Sequence, residues 1–163
     1  MHKKHAGFTL IELVVVITII GILAATAAPK FISMQQEART SVVQASRNAL
    51  RSGVNLIYAK QAAAGNFGEN ACVEEDGSSS ANPCNNSDPL REVATDYGYP
   101  QENEDALTPL FDDLSVRFTF VQSGNFMEMR LDNINGCELR YNHQADANNT
   151  TLPPVIEVDT GNC

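Results

Sequence analysis

The chain has no tryptophan, few aromatic residues of any kind (7%) and three histidines. Two of those, His2 and His5, fall in the first five residues, so the body of the chain has only His143. Most imidazole-based metal and acid–base chemistry therefore has no starting point. No histidine pair of metalloprotease spacing, glycine-rich phosphate loop or nucleophile elbow occurs. Asp112-Asp113 and the Glu102/Glu104/Asp105 group are acidic, but neither follows an EF-hand pattern. Positive charge is scarce as well: 11 Lys and Arg face 20 Asp and Glu, for a formal net charge of −9. That sign argues against a nucleic-acid partner. Cysteine is sparse and scattered, and no Cys-x-x-Cys pair suggests zinc.

What the sequence does have is concentrated near its start. Residues 1–7 are short and basic, with Lys3 and Lys4, and end at Gly7. From Phe8 to Ala28 there are 21 residues with one ionisable side chain, Glu12. As a helix this run spans about 32 Å, close to the roughly 30 Å hydrocarbon thickness of a bilayer. In lipid the backbone must satisfy its own hydrogen bonds, so the β-branched stretch Val14–Ile17 is expected to be helical. Lys3 and Lys4 would keep the N-terminal side in the cytoplasm. A carboxylate at mid-bilayer costs roughly 2.5–3.5 kcal/mol; nearer the interface Glu12 costs less but still needs a partner. An ordinary secretory signal would instead be cut after the apolar run, and Ala24-Ala25-Thr26-Ala27-Ala28 is a weaker candidate for that.

The order of basic leader, Gly, Phe and an apolar run with one Glu resembles the class III signal of type IV pilins and pseudopilins. The resemblance rests on Gly7-Phe8-Thr9-Leu10-Ile11-Glu12-Leu13, with Gly21 and Pro29 also in pattern, and covers about residues 1–60. It implies that a prepilin peptidase cuts between Gly7 and Phe8 and methylates the new amine of Phe8. It implies that Glu12 meets the N-terminal ammonium of a neighbouring subunit, a charge that methylation preserves. It also implies that the helix between Gly21 and Pro29 can unwind inside a filament. Loss of Lys3 and Lys4 with the leader would change the formal charge to −11.

Beyond Pro29 the pattern stays helical to about Ala63. Phe31, Met34, Ala38, Val42, Ala45 and Ala49 form one apolar row; Val43, Leu50, Val54 and Ile57 form a second beside it. Gly65 is placed to cap the helix. Residues 30–61 carry a net charge of +4, whereas residues 66–113 carry −11, so basic helix and acidic segment invite contacts between copies. Residues 66–113 read as irregular, with a turn at Tyr97-Gly98-Tyr99-Pro100 and a short helix within 103–114. Alternation then predicts strands over 115–121, 126–131 and 137–141, with a fourth over 155–158 after Pro153-Pro154. One face of this sheet would lie on the helix and the polar face would meet solvent.

Four cysteines in an exported domain suggest two disulfides, with three pairings open. Cys72–Cys84 with Cys137–Cys163 is preferred because each bridge then closes a local loop. The family resemblance independently favours a C-terminal bridge.

The expected architecture is thus α+β. It comprises a leader (1–7), a hydrophobic transmembrane or filament-core helix (8–29), and a head (30–163) made of the amphipathic half-helix and an antiparallel sheet. The resemblance implies a structural subunit without cofactor, metal or catalytic residues. Its partners would be other copies of the chain, the prepilin peptidase and the pilus assembly machinery. It would reside in the inner membrane before assembly and in an extracellular filament afterwards. Ala27-Ala28-Pro29-Lys30-Phe31-Ile32, the Tyr97–Pro100 turn and the four cysteines look most like mannose-sensitive haemagglutinin pilins, which implies attachment to host or environmental surfaces and biofilm formation. Two alternatives are a type II secretion pseudopilin and a membrane-anchored extracytoplasmic enzyme or binding domain that never polymerises.

Overall fold

A computed structural model describes residues 8–68, 70–74, 77–81, 83–84, 92–111, 117–143 and 152–163. The chain forms two compact units, Met1–Ala38 and Arg39–Cys163. The architecture is α+β: one long N-terminal helix followed by antiparallel sheets.

Helix α1 is unbroken from Leu10 to Ala64 and contains Pro29. Its end is fixed by backbone geometry. Gly65 has φ of +73°, its N–H donates to the Ala62 carbonyl (3.2 Å), and Asn66 N–H donates to the Gln61 carbonyl (3.0 Å). This pair of bonds is a Schellman cap, which satisfies carbonyls that the finished helix would otherwise leave open.

Within the second unit, α1 buries Val43, Ser46, Leu50, Val54, Ile57 and Gln61. The packed face is therefore the second apolar row, and the row from Phe31 to Ala49 is largely exposed, with Phe31 at 63% and Met34 at 61%. The two rows read together as one wide apolar face, but only the second is packed, and the packed stripe also takes in two polar positions. Ser46 is small enough to lie under its neighbours. Gln61 is held by hydrogen bonds instead.

The second sheet of the chain carries the main core. Strands β5 (Phe118–Ser123), β6 (Phe126–Leu131), β7 (Glu138–Asn142) and β8 (Val155–Asp159) pair antiparallel in that order. Of the first predicted strand, Phe118–Val121 is observed within β5, and positions 115–116 lie outside the described residues. Met127, Met129 and Leu131 on β6 and Leu139 and Tyr141 on β7 alternate inward against Val43, Leu50 and Val54 of α1. Burying each such side chain contributes about 1.5–3 kcal/mol. Tyr141 is fully buried, and its hydroxyl donates to the Pro100 carbonyl at 2.7 Å, so its polar end has a partner.

The other face of this sheet departs from the expected solvated surface. Glu128 and Glu138 are buried and enclosed by Arg130 and Arg140. Glu128–Arg130 (2.7 Å) and Glu138–Arg140 (2.7 Å) are the close pairs, with Arg130–Glu138 (3.3 Å) and Arg140–Glu128 (3.5 Å) completing the quartet. The register explains it: Glu128 lies opposite Arg140 and Arg130 opposite Glu138, so opposite charges face each other across adjacent strands. The long arginine stems then lie over the carboxylates.

Residues 66–113 are not merely irregular. They contain a second four-stranded antiparallel sheet of short strands: β1 (Ala71–Val73), β2 (Ser79–Ser80), β3 (Val93–Asp96) and β4 (Tyr99–Pro100), in the order β2-β1-β3-β4. Tyr97 and Gly98 connect β3 to β4 with positive φ at both positions (50° and 91°), as a tight hairpin turn requires. A Cβ at Gly98 would lie 3.0 Å from Phe67 and 3.2 Å from Tyr58, so aromatic packing also requires glycine there. The short helix α2 (Glu104–Leu107) lies within the predicted 103–114, with Asn103 Oδ1 accepting from Ala106 N–H at 2.7 Å.

Gln61 joins α1 to this small sheet. Its Nε2 donates to Thr95 Oγ1 at 2.5 Å, its Oε1 accepts from the Ser79 hydroxyl, and Asn66 Nδ2 donates to the same hydroxyl at 2.8 Å. Gln61 and Thr95 are fully buried. Gln61→Ala should therefore leave Thr95 without this donor and open a cavity, at a cost of about 2–4 kcal/mol. Urea unfolding of the full chain in detergent checks this; an unchanged midpoint would show the network to be dispensable.

His143 supplies a pH prediction. Burial is the larger influence and lowers its pKa below the usual 6.5, while the Asp96 carbonyl and carboxylate act in the opposite direction. A lowered folded-state pKa makes His143 favourable to folding above pH 6.5, and that contribution is lost as pH falls through the folded value. Glu102 accepts from the backbone N–H of His143, and burial raises its pKa above 4.5. Its contribution is of opposite sign: present below pH 4.5 and lost as pH rises through its own folded value. Comparison with His143→Gln isolates the imidazole. The wild-type melting temperature should fall relative to the variant's as pH drops below 6.5, and parallel profiles would contradict the assignment.

Candidate functional site at the N-terminal helix

The first unit is organised by its lack of internal partners. Phe8 is 94% exposed, and the large apolar residues from Leu10 to Leu23 are exposed along their whole length. The apolar part of α1 is long and apolar enough to cross a membrane, and none of it is buried within the chain. Its hydroxyls are satisfied locally: Thr18 Oγ1 donates to the Val15 carbonyl (2.8 Å) and Thr26 Oγ1 to the Leu23 carbonyl (2.9 Å). Such bonds leave no free hydroxyl donor facing an apolar medium.

Glu12 is the one carboxylate in this stretch, and the helix start holds it. Thr9 stands just before Leu10, the first helical residue. The Glu12 side chain accepts from Thr9 N–H (2.8 Å) and from the Thr9 hydroxyl (2.9 Å), while Glu12 N–H donates to Thr9 Oγ1 (3.3 Å). This reciprocal Thr-x-x-Glu arrangement is a capping box. It satisfies orphan N–H groups at the helix start and places negative charge at the positive end of the helix dipole. The Thr9 spacing in the sequence signals it, although the carboxylate alone first draws notice. Phe8, Ile11, Glu12, Val15 and Val16 together border an open apolar cleft.

The remaining site residues fall as follows. Gly7 lies outside the described residues. Gly21 is helical, and a Cβ there would have no neighbour within 4 Å. Pro29 lies inside α1, where it cannot donate a hydrogen bond to the Ala25 carbonyl. The cysteines form Cys72–Cys84 and Cys137–Cys163 bridges, distant in sequence from Glu12. Arg39 has no sequence signal of its own, yet it ties α1 to the C-terminal bridge. Its Nη1 donates to the Cys163 carbonyl oxygen (3.2 Å), and its Nε lies 3.6 Å from the Asp132 carboxylate.

Comparison with known proteins identifies the opening stretch. Residues 2–28 match the prokaryotic N-terminal methylation motif. A 60-residue segment is 38% identical to the type IV major pilin of Myxococcus xanthus, covering 37% of this chain and 27% of that protein. Over about a third of its length the chain is homologous to type IV pilins. A 49-residue segment is 49% identical to the major component of the type IV narrow pilus of Thermus thermophilus, covering 30% of this chain and 42% of the relative. The homology extends to the secretion branch as well: 55 residues are 35% identical to the type II secretion system core protein G of Pseudomonas aeruginosa, covering 34% of the chain and 39% of that protein. The pilin-like match thus spans less than half the length of each relative. No solved structure matches the chain. The long helix followed by antiparallel sheets is consistent with the α+β pilin architecture.

Proposed function

We propose that this chain is the structural subunit of a type IV pilus. A prepilin peptidase removes residues 1–7, cutting between Gly7 and Phe8, and methylates the Phe8 amine. Until assembly, residues 8–29 anchor the subunit in the inner membrane. Assembly machinery then moves this helix from lipid into a filament core, with the disulfide-bonded heads outside. Gly21 and Pro29 bracket the segment that unwinds in the filament. Glu12 supports this reading most directly. A single carboxylate in an exposed apolar helix is matched by one ammonium, which exists only after the leader is removed. In an apolar core an unpaired charge is strongly disfavoured, so pairing between neighbours selects the axial register. The filament serves surface attachment and biofilm formation, the role implied by the resemblance to mannose-sensitive haemagglutinin pilins.

Electron microscopy of sheared surface material, labelled with antibody to residues 66–113, tests this. Long labelled fibres support the pilin reading. The identity to a type II secretion core protein favours one competing reading, a pseudopilin, and that predicts label confined to the periplasm. Unpolymerised protein found only in the membrane contradicts both polymer readings.

A further inference from the structure

A second feature of the head lies on the α1 face near β8. Arg47, Arg51 and Asn55, each one helical turn from the next, border a cleft of about 260 Å³ together with Tyr99, Pro153 and Pro154. Residues four apart on a helix stand side by side, so the two guanidiniums and the Asn55 amide project along one wall. Arg47 is steadied by a bond from its Nε to the Ile156 carbonyl (3.4 Å), and its terminal nitrogens have no acceptor among the described residues. Arg51 is exposed and takes part in no hydrogen bond or ion pair among the described residues. Two cations converge here in a chain whose net charge is −9. The geometry calls for carboxylates, which guanidinium groups bind with paired N–H donors.

The chain carries a matching feature elsewhere. Glu104 and Asp105 open α2, and both are exposed. Among the described residues they are the one adjacent pair of exposed carboxylates, and neither carboxylate has a cationic partner there. We propose that the Arg47–Arg51 cleft receives the Glu104–Asp105 carboxylates of a second copy of this chain. The contact sets two charges against two, and it would hold neighbouring acidic heads together despite their net repulsion. It rests on the filament reading above, since assembly is what brings copies together.

Charge exchange tests it in the full-length protein. Arg51→Glu and the double change Glu104→Lys with Asp105→Lys should each lower the yield of sheared filaments at least about tenfold, the loss expected when a close charge pair becomes like-charged. Both disulfides and the head's melting temperature should be retained. Combining all three changes should restore most of the yield. Normal filaments from Arg51→Glu, or a combined variant no better than its parents, would overturn the contact while wild-type filaments still uphold the subunit reading. A chain that forms no wild-type filaments removes that reading itself. Filaments of Arg51→Lys offer a readout that does not depend on tolerance of reversed charge. Carbodiimide should join position 51 to Glu104 or Asp105 of another copy, identified by mass spectrometry of mixed isotope-labelled filaments. Coupling only within one chain, or to neither acid, would overturn the proposal.

Discussion

Glu12→Gln should abolish filament incorporation while leaving the subunit folded, inserted in the membrane and cleaved at Gly7. The choice of glutamine separates two roles of one side chain. Glutamine serves in a capping box as well as glutamate, so the bonds that Glu12 makes with Thr9 N–H and hydroxyl can persist. Only the charge is lost. In the proposed filament the Phe8 ammonium of the neighbour then enters the apolar core unpaired. A buried charge stripped of its partner costs about 3–5 kcal/mol, which is about two to three and a half orders of magnitude in the incorporation equilibrium. Glu12→Ala should show the same loss and a weaker helix start. Filament yield relative to membrane-held, leader-free subunit measures the effect. If Glu12→Gln assembles normally and only Glu12→Ala fails, the carboxylate is needed as a helix cap and the ion pair is excluded.

The second large effect concerns the C-terminal bridge. Cys137→Ala with Cys163→Ala should lower the stability of the head by about 3–4 kcal/mol, the chain-entropy estimate for a bridge of this span. The sequence separation is 26, against 12 for Cys72–Cys84. Removing the shorter bridge should therefore cost about 0.7 kcal/mol less on the same estimate. The longer bridge also has more attached to it. Both sulfurs lie in the main core, Asn162 N–H donates to the Gly136 carbonyl (2.9 Å), and Arg39 holds the Cys163 oxygen. A Cβ at Gly136 would fall 2.5 Å from Asn162 Nδ2, which shows how closely the two ends of this loop approach. The melting temperature of the full chain in detergent should fall on the order of 10 °C. A drop no larger than that of the Cys72→Ala, Cys84→Ala variant would place the fastening elsewhere.

The elements legible in the sequence were those long enough to repeat a period. Met127, Met129 and Leu131 alternate through β6, and Leu139 and Tyr141 continue the pattern in β7, so the main sheet could be read directly. The small sheet could not. Its strands span two to four residues, and Ser79-Ser80 or Tyr99-Pro100 is too short to show alternation. Their pairing is set by Tyr97-Gly98 and by the Gln61 network, both tertiary features. The helix is legible, and so is its packed row of Val43, Leu50, Val54 and Ile57; the narrowness of the packed face is not, since Phe31 and Met34 extend the apolar period while the packed stripe includes Ser46 and Gln61. Alternation places Glu128 and Glu138 on the face away from the helix, yet it carries no sign that two arginines, Arg130 and Arg140, close over them. At the N-terminal site, Glu12 was visible as a charge in apolar surroundings. Its bonds to Thr9 went unread there, although Thr-x-x-Glu spacing is a local signal for them that needs no tertiary information.

These two views of Glu12 belong to different stages. In the isolated chain its carboxylate is satisfied within its own first turn. In the proposed filament it turns to the ammonium of a neighbour, and the capping box is what holds it until then. A filament reconstruction at side-chain resolution tests this most directly. The filament assignment predicts the Glu12 carboxylate about 2.7–2.9 Å from the Phe8 amine of an adjacent copy. Helix density should also be lost between Gly21 and Pro29. A filament in which Glu12 bonds only Thr9 of its own copy, with the neighbouring Phe8 amine out of reach, would contradict the pairing on which the proposed assembly depends.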